Sequence, residues 1–273
     1  LKIGIVGCGG TGSQVIRSLG FLGCKNYVLI DDDVVDETNL NRLVTATPAD
    51  IGTPKTILGR RFIRTLDSQA QVHTICEKLE SHEALDALKG VDVLFGCVDN
   101  DGARLILNEF AKAYNIPLID IAVGIYVEDG TLASIGGRVV IVTSDGPCLY
   151  CMGEIDIDEA SYFLSSPTNR EEQRARGYIT GMDVKAPSVE SLNAFVSAAA
   201  ILEFQVLISG IRPVNVYSEY DLLGNGRSTK GQWMTPREVV QQNSCVYCIN
   251  SGIGANTNIE RYSDLSTKTD PKA

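Results

Sequence analysis

Short apolar runs alternate with helical patterns along the first half of the chain. Lys2–Val6, Tyr27–Ile30, Gln71–Ile75, Val91–Phe95 and Pro117–Ile121 each have the length and composition of a buried strand. Between them lie a helical segment at about Thr11–Leu22, a second after Pro54, a short one at His82–Leu88 and a fourth at Gly102–Tyr114. In the fourth, Ala103, Leu107, Phe110, Ala111 and Tyr114 recur at helical spacing and form one stripe to lay on a sheet. This βαβα order predicts an α/β fold with a mostly parallel sheet and helices on both faces. From Thr131 to Val142 the pattern turns β-rich around Gly136-Gly137, which predicts antiparallel strands extending the sheet in the C-terminal half.

Beyond the strands the pattern breaks. The stretch 154–186 is polar, acidic at its start, with Arg170, Arg174 and Arg176 near its middle, and reads as a mobile crossing loop. After Pro187 a long helix runs to about Ile208, apolar on most faces, so it belongs in the core or in a subunit interface. Residues 262–273 are polar and are expected to form a disordered tail.

Composition narrows the class. With 273 residues, 44% of them hydrophobic, the chain can bury a large core and has no need of disulfide staples. A net charge of −10 gives no basic field for a phosphate backbone, which makes nucleic acid an unfavoured main partner. No run is expected to reach the roughly 18 apolar residues that cross a bilayer, and the start lacks a signal-peptide layout, so a cytoplasmic protein without membrane contact is expected. Because the chain opens on a buried strand without Met, residues ahead of Leu1 are expected in the native protein.

Gly7-Cys8-Gly9-Gly10-Thr11-Gly12 follows the first strand and opens a helix. Glycines there let a phosphate approach backbone N–H groups at the positive end of the helix. Asp31 ends the second strand, 19 residues after Gly12, where an acid can accept hydrogen bonds from a ribose hydroxyl. On these features alone a Rossmann-like site for ATP and one for NAD fit equally well. Asp31-Asp32-Asp33, Asn39-Leu40-Asn41-Arg42 and Gly52-Thr53-Pro54-Lys55 then follow. A cation pair beside the phosphates serves nucleotidyl transfer and has no use in a nicotinamide site, although Arg42 and Lys55 could equally be solvated surface charges.

With Cys97-Val98-Asp99-Asn100 and two Cys-x-x-Cys pairs added in order, the chain resembles the ThiF/MoeB and ubiquitin-activating superfamily from Gly7 to Cys248. The resemblance implies ATP held by Gly7, Gly9, Gly10, Thr11 and Gly12, with Asp31 on the ribose. It places Asn39, Arg42 and Lys55 around the phosphates and Asp99 at Mg²⁺, with Asp33 and Asn100 also among the nucleotide-binding residues. Arg42, Lys55 and Asp99 would carry catalysis. A carboxylate attacking an anionic α-phosphate needs cations on the phosphates and a metal on the leaving pyrophosphate. It needs no general base, being ionised already, so His73 and His82 are assigned to surface or packing.

The chain departs from the superfamily in three places. Leu43 stands where many relatives have Gln, which removes one polar phosphate contact. An Arg-bearing N-terminal arm that relatives insert into a partner subunit would lie before Leu1. The segment from Glu154 to Lys185 holds no cysteine for a thioester step, and Cys8, Cys24, Cys76 and Cys97 read as small buried residues.

Cys148-Leu149-Tyr150-Cys151 and Cys245-Val246-Tyr247-Cys248 supply four thiolates in two chelating pairs, enough for a closed, structural Zn²⁺ site; free or disulfide-bonded cysteines are the alternative. The expected organisation is one adenylation domain over 1–273. Its parts are a nucleotide-binding half (1–122), antiparallel strands with the first cysteine pair (123–153), the crossing loop, and a helix, strand and second pair (187–261). The expected activity is adenylation of the C-terminal glycine of a ubiquitin-like or sulfur-carrier protein by a homodimer. Alternatives are a peptide or tRNA-linked carboxylate as substrate, a nucleotide-binding pseudoenzyme in a heterodimer, and an NAD dehydrogenase.

Overall fold

The computed structural model describes residues 1–128, 130–166, 169–171, 188–223, 235–236 and 239–263. One sheet of eight strands runs in the order β3-β2-β1-β4-β5-β6-β7-β8. The strands are β1 Lys2–Val6, β2 Asn26–Ile30, β3 Gln71–Ile75, β4 Val93–Gly96, β5 Leu118–Glu128, β6 Thr131–Val142, β7 Tyr217–Asp221 and β8 Thr235–Pro236. Pairings from β3 through β5 are parallel and those from β5 through β8 antiparallel.

The central strands are apolar at consecutive positions because both faces are covered. Ile3, Ile5, Tyr27, Leu29, Ile119, Val139 and Ile141 belong to one core layer, and Val6, Val28, Ile30, Leu118, Val140 and Val142 to the other. The first layer is closed by α1 (Gly10–Phe21), α2 (Lys55–Leu66) and α6 (Glu190–Ser209), through Val15, Leu19, Ile63, Leu192, Val196 and Phe204. The second is closed by α3 (His82–Leu88) and α4 (Asp101–Tyr114), through Leu85, Leu88, Ile106 and Phe110. Two short helices complete the fold, α5 (Ile157–Phe163) and α7 (Val246–Ile249).

Four expectations are corrected. The boundary at 122/123 cuts a single strand: β5 pairs with β4 only through Leu94–Leu118 to Gly96–Asp120, while its pairing with β6 continues to Glu128. The crossing loop does not begin at Glu154, since Asp156 caps α5 by accepting from the Asp158 and Glu159 N–H groups. Arg174 and Arg176 lie outside the described residues, as does the tail from 264 onward. Tyr262 and Ser263 are not tail residues, being only 5% and 1% exposed. The Tyr262 hydroxyl donates to Glu109, which Arg261 also clamps with two hydrogen bonds.

The fourth is that no run is long and apolar enough to cross a bilayer, since α6 is so by length and composition. As expected it is nonetheless a layer of the core, half of it buried, with Asn193, Ser197 and Glu203 among its buried residues. Leu202 and Ile208 remain exposed on its outer side. On the opposite layer α4 is buried well beyond its predicted stripe. Asn108 Oδ1 accepts from the Leu149 N–H at 2.8 Å, and Lys112 Nζ donates to the carbonyls of Thr143, Ser144 and Gly146. These polar contacts dock the segment carrying the first cysteine pair on α4.

Candidate functional site

At the C-terminal ends of β1, β2 and β4 the chain opens into a cavity of about 1160 Å³. That is the switch point where a doubly wound sheet binds its ligand. Gly7 turns the chain out of β1 with φ +86°, and a Cβ there would stand 2.4 Å from the Cys97 carbonyl oxygen, so only glycine lets β1 and β4 end side by side. α1 then starts at Gly10 with no side chain capping it and no acid in its first turn. An uncapped helix N-terminus is an anion site in waiting.

Asp31 ties the second strand to this loop. Its carboxylate accepts from the Cys8 N–H at 2.6 Å and the Asp33 N–H at 2.9 Å. Burial pushes its pKa up, opposed mainly by Lys55. Two backbone donors leave lone pairs on the carboxylate to spare for hydroxyl groups. Lys55, buried as the first residue of α2, places Nζ 2.6 Å from Asp33.

The turn between them presents Asn39 and Arg42. Asn39 Oδ1 accepts from the Asp36 N–H, and Arg42 Nη1 donates to the Thr38 carbonyl at 2.6 Å and to Asn41 at 2.9 Å. At the end of β4, Asn100 caps α4 through the Ala103 N–H and leaves exposed Asp99 at the cavity wall, its carboxylate 3.5 Å from Asn100 Nδ2. An exposed carboxylate facing the cavity offers oxygen to a hard cation.

The cavity therefore gathers Gly7, Gly9, Gly10, Thr11, Asp31, Asp33, Asn39, Arg42, Lys55, Asp99 and Asn100. Gly12 does not line it; a Cβ at Gly12 would fall 1.9 Å from the Gly7 carbonyl oxygen, so its part is to let helix and loop close together. Leu43 reaches the cavity but also packs with Val35 and Leu58. His73 is an exposed strand residue, and His82 shares a hydrogen bond with Ser263. Cys8 and Cys97 are buried as expected, whereas Cys24 is half-buried and Cys76 exposed.

The cavity extends past Asp99 toward Ala122–Gly124, Tyr126, Arg138, Glu154, Glu159 and Phe163. Along that stretch β5 has no strand partner on its β4 side among the described residues. Sequence reasoning missed this half. Its signals were a lone Asp120 in one apolar strand, a lone Arg138 in another, and Asn193 in an apolar helix. Asn193 and Ser188 line the cavity beside Gly10.

Across the sheet, the four paired cysteines converge within 4.8 Å of one another. The Sγ atoms stand 3.8 Å apart for Cys148–Cys151 and 3.6 Å apart for Cys148–Cys245 and Cys151–Cys248. Tetrahedral Zn²⁺ with Zn–S near 2.3 Å sets sulfurs about 3.8 Å apart, whereas a disulfide needs about 2.05 Å. The donor set fits a closed zinc site and no disulfide.

Comparison with known proteins agrees with this geometry. The family model described as the ThiF family matches residues 1–246. The SAMP-activating enzyme E1 of Haloferax volcanii is 30% identical over 151 residues, covering 55% of this chain and 53% of that protein. The adenylyltransferase and sulfurtransferase MOCS3 of Drosophila sechellia is 24% identical over 205 residues, covering 75% of this chain and 42% of that one. The chain thus spans about half the length of the curated relatives it matches. Among solved structures, E. coli MccB with ATP shares the fold with a TM-score of 0.66 at 20% identity, covering 90% of this chain and 66% of that one.

Proposed function

Because the chain belongs to the ThiF family of E1-like, ATP-dependent adenylyltransferases, we propose that it adenylates the C-terminal glycine carboxylate of a ubiquitin-like or sulfur-carrier protein. The observation that carries this reading is the continuity of one cavity. It joins the N-terminus of α1 to a strand edge along β5 that is unpaired among the described residues, beside which an extended peptide tail could lie.

The α1 N-terminus and the glycine loop receive the phosphates, and Asp31 and Asp33 face the ribose. Lys55 exchanges Asp33 for a phosphate oxygen, with Arg42 and Asn39 beside it. Asp99 would hold Mg²⁺, which would supply neutralising charge for the departing pyrophosphate. The carboxylate oxygen attacks the α-phosphorus, the bond to the bridging oxygen breaks, and an acyl-adenylate and pyrophosphate result. Cation clamps lower the barrier because charge builds on phosphate oxygens in the transition state. Four-thiolate zinc has no open position and plays no part in this step.

H. volcanii and D. sechellia relatives named for carrier activation and sulfur transfer support a protein acceptor. A short peptide is the second reading, favoured by MccB structures that contain MccA. The −10 charge disfavours a tRNA-linked acceptor. Exposed Leu202, Ile208 and Ile211 around the end of α6 support a homodimer. The test is ATP–pyrophosphate exchange in the presence of Mg²⁺ and a carrier ending in glycine. Exchange that is lost in Asp99→Asn while ATP still binds supports the reading. NADH binding with no exchange refutes it.

A further inference from the structure

Five charged side chains run in a line beneath the acceptor half of the cavity. Arg104 Nη1 donates to Asp101 at 2.7 Å, and Arg104 Nε stands 3.7 Å from Asp120 Oδ1. Arg138 Nη1 donates to Asp120 Oδ2 at 2.5 Å, and Arg138 Nε pairs with Glu154. Asp120 is wholly buried, and no other side chain in the line is more than 13% exposed.

The line fastens two segments that flank the reaction centre. Arg104 Nη2 donates to the Val98 carbonyl at 3.0 Å, one residue before Asp99. Asp101 Oδ2 accepts from the Asp156 N–H at 2.7 Å, and Glu154 stands two residues earlier on the acceptor wall.

Stability is a poor reason for such a line. Buried ion pairs rarely outdo apolar residues of similar volume, and Asp120 interrupts the apolar run Ile119–Ile121 at the centre of the sheet. One joint is also slack. Arg104 Nε and Asp120 Oδ1 are both buried without a hydrogen-bond partner among the described residues. A buried network retained with an open joint is one that can tighten.

We propose that Asp120 and Arg138 are positioning residues for Asp99, holding its loop through Arg104 and the Val98 carbonyl and linking that loop to the acceptor wall at Glu154–Asp156. This rests on the reading of Asp99 as the metal-binding carboxylate. Neither residue needs to touch the nucleotide. Both act as the supporting groups of a metal site do, whose loss weakens metal binding by about ten- to a hundredfold.

The experiment is a Mn²⁺ titration of the full chain with ATP bound, followed by electron paramagnetic resonance, on Asp120→Asn, Arg138→Gln, Arg138→Lys and Asp99→Asn. The expected result is Mn²⁺ affinity about tenfold weaker in Asp120→Asn and Arg138→Gln. ATP affinity without metal should be unchanged, and affinity in Arg138→Lys partly restored. Should Asp120→Asn fail to fold, the two Arg138 variants carry the same reading. Unchanged Mn²⁺ affinity in the folded variants, with Asp99→Asn weakened, overturns the positioning role. Unchanged affinity in Asp99→Asn as well removes the metal role of Asp99, and the positioning role with it.

Discussion

A single methyl group at Gly9 separates folding from nucleotide binding. A Cβ at this position meets nothing within 4 Å, and the backbone sits at φ −76°, ψ −147°, so the positive-φ penalty does not arise. Gly9→Ala reduces unfolded-state freedom by roughly 0.4–1 kcal/mol, offset by some strain in ψ. The melting temperature should therefore stay within about 4 °C of the parent, at roughly 2–4 °C per kcal/mol for a chain of this size.

The open space the methyl enters is the cavity itself, at the N-terminus of α1. A phosphate oxygen must come within about 2.7–3.2 Å of the loop N–H groups, and a methyl keeps it away from at least one of them. Losing one charge-assisted hydrogen bond of about 1.5–3 kcal/mol weakens ATP roughly ten- to a hundredfold. Gly12→Ala is the contrast, since its Cβ would meet backbone at 1.9 Å and the fold itself must give. Calorimetric titration with ATP beside differential scanning calorimetry reads both effects. Parental ATP affinity in Gly9→Ala would refute the assignment of this loop to the phosphates, and a collapse of its melting temperature would refute the claim that the methyl enters open space.

Other consequences are checked as simply. Removing zinc with a chelator should lower the melting temperature and free the segment from Cys245 onward for proteolysis; identical melting curves would contradict this. Burial holds the Cys148 thiol well above its ordinary range and takes Cys248 to about 11. Without metal both thiols are therefore protonated at neutral pH, and zinc must displace their protons. Zinc affinity in a chelator competition should accordingly rise with pH across the neutral range, and a flat profile would count against thiolate ligation. Lys112→Met removes the buried donor shared by the Thr143, Ser144 and Gly146 carbonyls, now bonded at 2.7–3.1 Å, of which Ser144's keeps the Ser251 hydroxyl. At about 1–3 kcal/mol per unsatisfied group, the other two carbonyls should cost at least roughly 2 kcal/mol, read as a melting temperature lower by about 4 °C or more.

What the sequence made legible follows from where each signal is local. β1, β3 and α3 fall where their apolar runs and caps place them, because two-residue and helical periods need no distant partner. The glycine loop, Asp31, Arg42, Lys55 and Asp99 were likewise visible as motifs, and the fold brings them to one cavity. The length of β5 was not visible, since residues past Asp120 are held by β6 alone. Tyr262 looked like tail because its anchor, Glu109, lies on α4 more than a hundred residues earlier. Asp120 and Arg138 could have been flagged as charges inside apolar runs, but only the sheet register, which sets Arg138 opposite Ala122, two residues along β5 from Asp120, shows that they share one face of the sheet.

The central claim is that a carboxyl-terminal glycine is activated in this cavity. The most direct measurement is mass spectrometry of a carrier protein ending in glycine after incubation with the full chain, ATP and Mg²⁺, with inorganic pyrophosphatase present to drive the reaction forward. The account predicts a carrier heavier by one AMP, reactive toward hydroxylamine, and absent when the terminal glycine is removed or Lys55 is replaced by Met. A carrier of unchanged mass alongside saturating ATP binding would contradict it.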